Sequence, residues 1–179
     1  MPCDITLGRA EQCKNVIGGI KAVYLFNYLS NEVITVDSND VIQNVANATE
    51  ASVYKYELKG ASTFEQTITS SRENGSSFVE QKLTLHLKKL SVADHKQLKI
   101  LSYGRPRIFI EDNNGNIFLA GKEKGMELTT STISTGASMS DMSGYKLEFL
   151  GTEYISANFI LNNDLDSIGL EFIVVGTVA

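Results

Sequence analysis

The run Phe78-Val79-Glu80-Gln81-Lys82-Leu83-Thr84-Leu85-His86-Leu87-Lys88-Lys89 decides the fold class. Val79, Leu83, Leu85 and Leu87 fall on one parity, while Glu80, Lys82, Thr84, His86 and Lys88 fall on the other. Successive side chains of a strand point to opposite faces, so this pattern predicts a long strand with one buried and one solvated face. Upstream, Ser52 to Lys59 sets Tyr54, Tyr56 and Leu58 against Lys55, Glu57 and Lys59. Thr63 to Ser70 is Thr-rich with Phe64 and Ile68 on one parity, which again suits a pleated surface. The Asn74-Gly75 step supplies the positive φ that a reversing chain needs, so residues 62–70 and 77–89 are expected to form a long hairpin.

A second hairpin is expected where Arg107 to Asp112 and Asn116 to Gly121 meet through Asn113-Asn114-Gly115. Further strands are expected at Lys21 to Tyr28, Glu32 to Val36, Glu127 to Ile133, Tyr145 to Leu150 and Ile168 to Val175, giving about nine or ten in all. One stretch departs from period two. Ser91-Val92-Ala93-Asp94 has the form of an N-cap with an acidic third residue, and Gly104 and Pro106 provide a stop, so residues 91–103 predict one helix. Val92, Leu98 and Leu101 are expected to face the sheet, with His95, Lys96 and Lys99 towards solvent. Residues 129–144 are rich in hydroxyl and small side chains and hold one charge, so they form either a mobile loop or a segment ordered by a neighbouring chain.

Composition bounds the function. The chain has 179 residues, a length suited to one domain, with 42% apolar and 21% charged residues, which excludes wholesale disorder. A formal net charge of −5 disfavours stable gripping of nucleic-acid phosphates. The longest apolar runs, such as Ala22 to Phe26, are too short to cross a bilayer, so no membrane partner is expected. Residues 1–20 carry scattered charges and no apolar core of a secretory signal, so synthesis in a cytoplasm is expected. Cys3 and Cys13 are expected to be reduced thiols, since their spacing fits neither a zinc knuckle nor a redox pair.

Signals for chemistry are few. The two histidines, His86 and His95, sit in different elements and read as surface residues. Asp112-Asn113-Asn114-Gly115-Asn116 resembles a calcium loop only superficially, because its glycine comes fourth, and the hairpin turn accounts for the same residues. Asn47-Ala48-Thr49 and Asn74-Gly75-Ser76 match the glycosylation sequon without a secretion signal. Gly18-Gly19 precedes a strand, the reverse of a phosphate-binding order, and the common hydrolase, metalloprotease and NTPase signatures are absent. No enzyme activity, cofactor or metal is expected.

Two portions of the chain carry a family resemblance. The opening Cys3-Asp4-Ile5-Thr6-Leu7-Gly8-Arg9, Cys13, and Gly18-Gly19-Ile20-Lys21-Ala22-Val23-Tyr24 resembles the beginnings of small virion structural proteins from tailed phages of gut Bacteroidales, including crAss-like phages. Thr135-Gly136-Ala137, Asp141, Ser143 to Glu153 and Ala157-Asn158-Phe159 are similar to their G-Y-x-L-x-F-x-G-x-E segment and the strand after it. The resemblance implies a mainly β, tail-tube-like β-sandwich or flattened barrel with one flanking helix. It implies a single domain over 1–179, with an N-terminal arm at 1–19 and an inter-subunit loop at 129–144. The function implied is a virion tail protein that forms a homo-oligomeric ring or tube, assembled in the host bacterial cytoplasm, through which genome DNA passes transiently and without sequence preference. Its partners would be copies of itself and other tail proteins: an adaptor, neighbouring rings and a hub.

In that setting the lumen-lining candidates are Thr63, Glu65, Thr67, Thr69, Glu80 and Thr84, because acidic and hydroxyl groups repel or release phosphates, although Lys82 among them works against this. A solvated sheet face accounts for the same residues. Subunit contacts are expected from Arg72, Glu73 and Asn74 at the first hairpin tip, and from Ser134, Thr135, Met139, Asp141 and Met142. The alternative is a β-sandwich module that binds carbohydrate or cell-surface material, against which the absence of Trp counts.

Overall fold

The computed structural model describes residues 7–11, 13–30, 32–46, 52–170 and 173–175. Cys3 and the Asn47 sequon lie outside them, as do residues 1–6 of the arm. Among the described residues the protein is mainly β, with one α-helix and sheets that are antiparallel except for one parallel pair, Val53–Glu57 with Ile173–Val175. A four-stranded sheet has the order β5 (Thr63–Ser71), β6 (Ser76–Lys88), β10 (Gly144–Glu153), β9 (Glu127–Ser134). A six-stranded sheet has the order β11 (Asn158–Phe159), β8 (Ile117–Ala120), β7 (Arg107–Asp112), β1 (Ile20–Phe26), β4 (Val53–Glu57), β12 (Ile173–Val175). β2 (Val33–Val36) and β3 (Ile42–Ala46) form a separate hairpin. The sheets do not close into a barrel, so of the two expected architectures the sandwich is the one formed.

The layering follows from burial. β6 alternates as its sequence requires: Val79, Gln81, Leu83 and Leu85 are buried, whereas Glu80 and Lys82 are exposed. Its inner face meets Tyr145, Leu147 and Phe149 of β10 and packs against Val23, Leu25, Ile108 and Ile110 of the six-stranded sheet. The opposite face of that sheet buries Tyr24, Phe26, Phe109 and Leu119 under Ile42 and Val45 of β3 and under Leu165, Ile168 and Leu170. β1 and β7 are therefore covered on both sides. Their near-continuous apolar runs reflect this, since a strand with no solvated face has no position for polar alternation.

The helix α1 runs Val92–Leu101, with Ser91 accepting from the Asp94 amide at 3.0 Å. Leu98 is buried and Leu101 half-buried, but Val92 is 91% exposed, which corrects the expectation that it faces the sheet. Six residues of helix rotate Val92 well away from the Leu98 direction, and Asp94, one turn before Leu98, takes the inward side. The strand expected over Ile168 to Val175 is also shorter. Asp166–Ile168 is a 3-10 turn followed by Gly169 at φ 87°, residues 171 and 172 lie outside the described residues, and Ile173–Val175 pair with β4. β3 is a strand beyond those the sequence predicts, because Ile42-Gln43-Asn44-Val45-Ala46 does not alternate cleanly.

Candidate assembly surface

All six lumen-lining candidates lie on one side of the four-stranded sheet. Antiparallel register places Thr63 opposite Thr84, Glu65 opposite Lys82, Thr67 opposite Glu80 and Thr69 opposite Phe78. The same face continues through Lys146, Glu148, Leu150 and Thr152 of β10 to Thr130 and Thr132 of β9. Each of these six candidates is exposed except Thr84, which is half-buried. This face is charge-balanced: Glu65, Glu80, Glu127 and Glu148 stand against Lys82, Lys88 and Lys146, with Arg105 lying 3.1 Å from Glu127. Glu148 lies 2.8 Å from the Lys146 ammonium and 3.9 Å from that of Lys82. The Lys146 hydrogen bond holds the Glu148 carboxyl below its ordinary range. The net negative charge of the chain is thus not concentrated here, and hydroxyls supply most of the remaining polarity.

The two groups of contact candidates are not brought together. Arg72, Glu73 and Asn74 form the tip beyond Ser71 and Ser76, with the Asn74 amide donating to Ser71 Oγ at 3.3 Å. Ser134 pairs with Gly144, which also pairs with Lys88 at the other end of β6. β6 has 13 residues, so the tips stand roughly 40 Å apart. The reading of 129–144 as a loop is corrected in part, because residues 129–134 belong to β9. The remaining turn is ordered from within the chain. Asp141 Oδ2 accepts from the Ala137 and Ser138 amides at 2.9 and 2.8 Å, bonds that hold its carboxyl below the usual range. Thr135 and Met139 project outward, and Met142 is half-buried.

Both edges of the four-stranded sheet are long, and apart from a bulge in β9 neither carries the usual protection. β5 (TFEQTITSS) and β9 (ELTTSTIS) contain no Lys, Arg or Pro, and each holds a single Glu. A bulge near Thr129 is the only irregularity in their pairing within the sheet.

Elsewhere the ionisable groups serve the framework. Arg107 and Glu32 form a buried ion pair, with Arg107 Nε also donating to the Lys122 carbonyl at 2.9 Å and its guanidinium lying over the Tyr28 ring. Burial pushes the Glu32 carboxyl up despite this partner. Glu153 accepts from the Glu123 and Lys124 amides at 3.2 and 2.9 Å, and burial raises it too. Glu111 accepts from Lys21 and, at 2.7 Å, from the Tyr24 hydroxyl. Burial would raise the Glu111 pKa, but these hydrogen bonds outweigh it and hold the carboxyl below 4.5. Burial, with that same hydrogen bond, drives the Tyr24 phenol well above its ordinary value.

None of these pairings is visible in sequence spacing, since each joins residues from separate elements. Among the described residues no cluster of three or more His, Cys, Asp or Glu could hold a metal. The Asp112 carboxylate is occupied by the amides and side chains of Asn114 and Asn116, at 2.8 to 3.2 Å, leaving a turn and not a calcium site.

One open groove of about 390 Å³ lies beside the first hairpin, lined by Ile68, Val79, Tyr154 and Phe159 with Asn158 and Asp40. Comparison with protein-family models, with curated proteins and with solved structures found no match to this chain.

Proposed function

We propose that the chain is a virion structural protein of a tailed phage, forming a ring or tube of identical copies through which DNA passes. The observation that carries this reading is the four-stranded sheet: two long edges free of Lys, Arg and Pro on opposite sides of one hydroxyl-rich, charge-balanced face. Copies related by rotation about a ring axis keep their strand directions. Because all neighbours in the sheet are antiparallel, β9 of one copy would then run antiparallel to β5 of the next, extending the sheet without a break. This contact uses two different patches, so it closes only by going round, and the tips at opposite ends of β6 would meet neighbours above and below.

The exposed face would line the lumen. DNA binding is driven by cations that neutralise phosphates and release counterions. Here Lys82 and Lys146 already face Glu148, so the wall offers little for a phosphate to hold, and a sliding duplex is neither trapped nor strongly repelled. Other tail proteins, an adaptor, neighbouring rings or a hub, would cap such a ring.

Native mass spectrometry and electron microscopy of the purified chain test this. Closed rings are expected, and Thr67→Pro on the β5 edge should dissolve them; a monomer at every concentration would refute the reading. A second reading, a module binding carbohydrate or cell-surface material, is favoured by the groove with its exposed Tyr154 and Phe159. A monomer that binds immobilised glycans would support it.

A further inference from the structure

We propose that the N-terminal arm of one copy lies as an added strand in the Tyr154–Phe159 groove of a second copy. The inference rests on the self-assembly part of the reading above, not on a lumen or on DNA. The described arm residues 7–11 and 13–19 are all exposed, and three are large and apolar: Leu7 is 86% exposed, Val16 73% and Ile17 66%. Yet the root of the arm is fixed. Asn114 accepts from the Ile17 amide at 2.9 Å and donates to the Ile17 carbonyl at 2.8 Å, copying a strand partner. Asn113 donates to the Gly18 carbonyl at 2.8 Å through its side chain and to the Gly19 carbonyl at 3.2 Å through its amide. The β7–β8 turn therefore aims an apolar segment away from its own core.

The groove has the complementary character. Ile68 sits on the inner parity of β5 but is 66% exposed, lining the groove with Val79, Tyr154 and Phe159. The chain between β10 and β11 lines the groove, and neither Ile155 nor Ser156 is hydrogen-bonded through its backbone to another described residue. An extended peptide can bind such a free edge through main-chain hydrogen bonds while alternate side chains enter apolar pockets. Asn158 donates to the Asp40 carbonyl at 2.7 Å, while its buried Oδ1 has no partner.

Among the described residues lining the groove, Asp40 is the only charged one. In an extended arm Lys14 and Val16 share a face, so seating Val16 against Ile68 and Phe159 brings a cation towards that carboxylate. With about 3.3 Å per residue, the stretch from Leu7 to Ile17 reaches roughly 35 Å, enough to bridge two bodies.

The test uses full-length variants with exposed substitutions and checks folding by circular dichroism. Val16→Asp/Ile17→Asp spoils the arm and leaves the groove; Ile68→Glu spoils the groove and leaves the arm. Sedimentation of wild type, each variant and their equimolar mixture is read in a Thr67→Pro background, which blocks β5 edge pairing. Wild-type arm and groove should still self-associate there, each variant alone should associate at least tenfold more weakly, and the mixture should recover dimers and nothing larger.

A mixture no more associated than its components overturns the proposal, as does a Val16→Asp/Ile17→Asp variant that associates like the parent. If Thr67→Pro alone abolishes all association, edge pairing stands and the arm exchange falls. If Thr67→Pro changes nothing while the arm and groove variants dissociate, the arm exchange stands and the edge reading falls. A monomeric parent whose Tyr154 and Phe159 resonances move on adding soluble oligosaccharide assigns the groove to a sugar and overturns the arm.

Discussion

The two sheets of this protein were built under opposite constraints. The four-stranded sheet is buried on one side only, so its strands alternate and its outer face tolerates Thr, Glu and Lys in any order that stays soluble. The six-stranded sheet lies between two cores, and β1 and β7 have almost no position left for a polar group. Where polar groups do occur in that sheet, as at Arg107 and Glu111, they are tied to partners from other elements. The six-stranded sheet takes part in both cores, whereas the four-stranded sheet gives its inner face to one core and its outer face to solvent, so a residue's sheet and face should predict its cost of replacement better than its type does.

The largest effect is expected at the doubly covered sheet. Phe109→Ala on β7, a fully buried ring in the second core, should lower unfolding free energy by about 3–5 kcal/mol, measured by chemical denaturation. Arg107→Met should cost about as much, roughly 3–5 kcal/mol, because it leaves the Glu32 carboxylate buried without its cation. Adding Glu32→Gln to that variant should recover most of the loss, since the uncompensated charge is then gone. Failure of the double variant to recover would mean that packing over Tyr28, not charge, is what Arg107 contributes.

Glu111→Gln sharpens the comparison through pH. The folded carboxyl titrates below its ordinary 4.5, so between those values the unfolded chain binds the proton more readily. The stabilisation is therefore complete above 4.5 and is lost as pH falls through the folded pKa. Near neutrality the substitution should cost on the order of 1 kcal/mol, and it should flatten the acid limb of a stability profile. Glu32 and Glu153, with raised pKa values, act in the opposite sense, losing stability as pH rises above the ordinary range. The smallest effect is expected on the open face: Thr67→Ala should stay within about 0.5 kcal/mol of the parent. Equal losses for Thr67→Ala and Phe109→Ala would dissolve the distinction between the sheets.

Much of the architecture was legible because its determinants are local. Period two in residues 78–89, the Asn74-Gly75 and Asn113-Asn114-Gly115 turns, and the Ser91 cap each declare an element within a few residues. Parity also grouped Thr63, Thr67, Glu80 and Thr84 on one face before any register was known. The arm clamp is hidden, although Asn113 and Asn114 do form the turn that their sequence predicts, because their side chains act on residues about 95 positions away. The groove was hidden for the same reason, being assembled from the β2–β3 turn, the first hairpin and the β10–β11 crossover.

By itself the amino-acid order determined a mainly β chain with one short helix, since alternation, turn chemistry and capping are properties of neighbouring residues. Only the tertiary structure decided which strands became covered on both sides, where Glu32 and Glu111 found their partners, and which edges and grooves stayed open. Those outcomes depend on contacts between distant segments, and such contacts leave no period in the sequence to read.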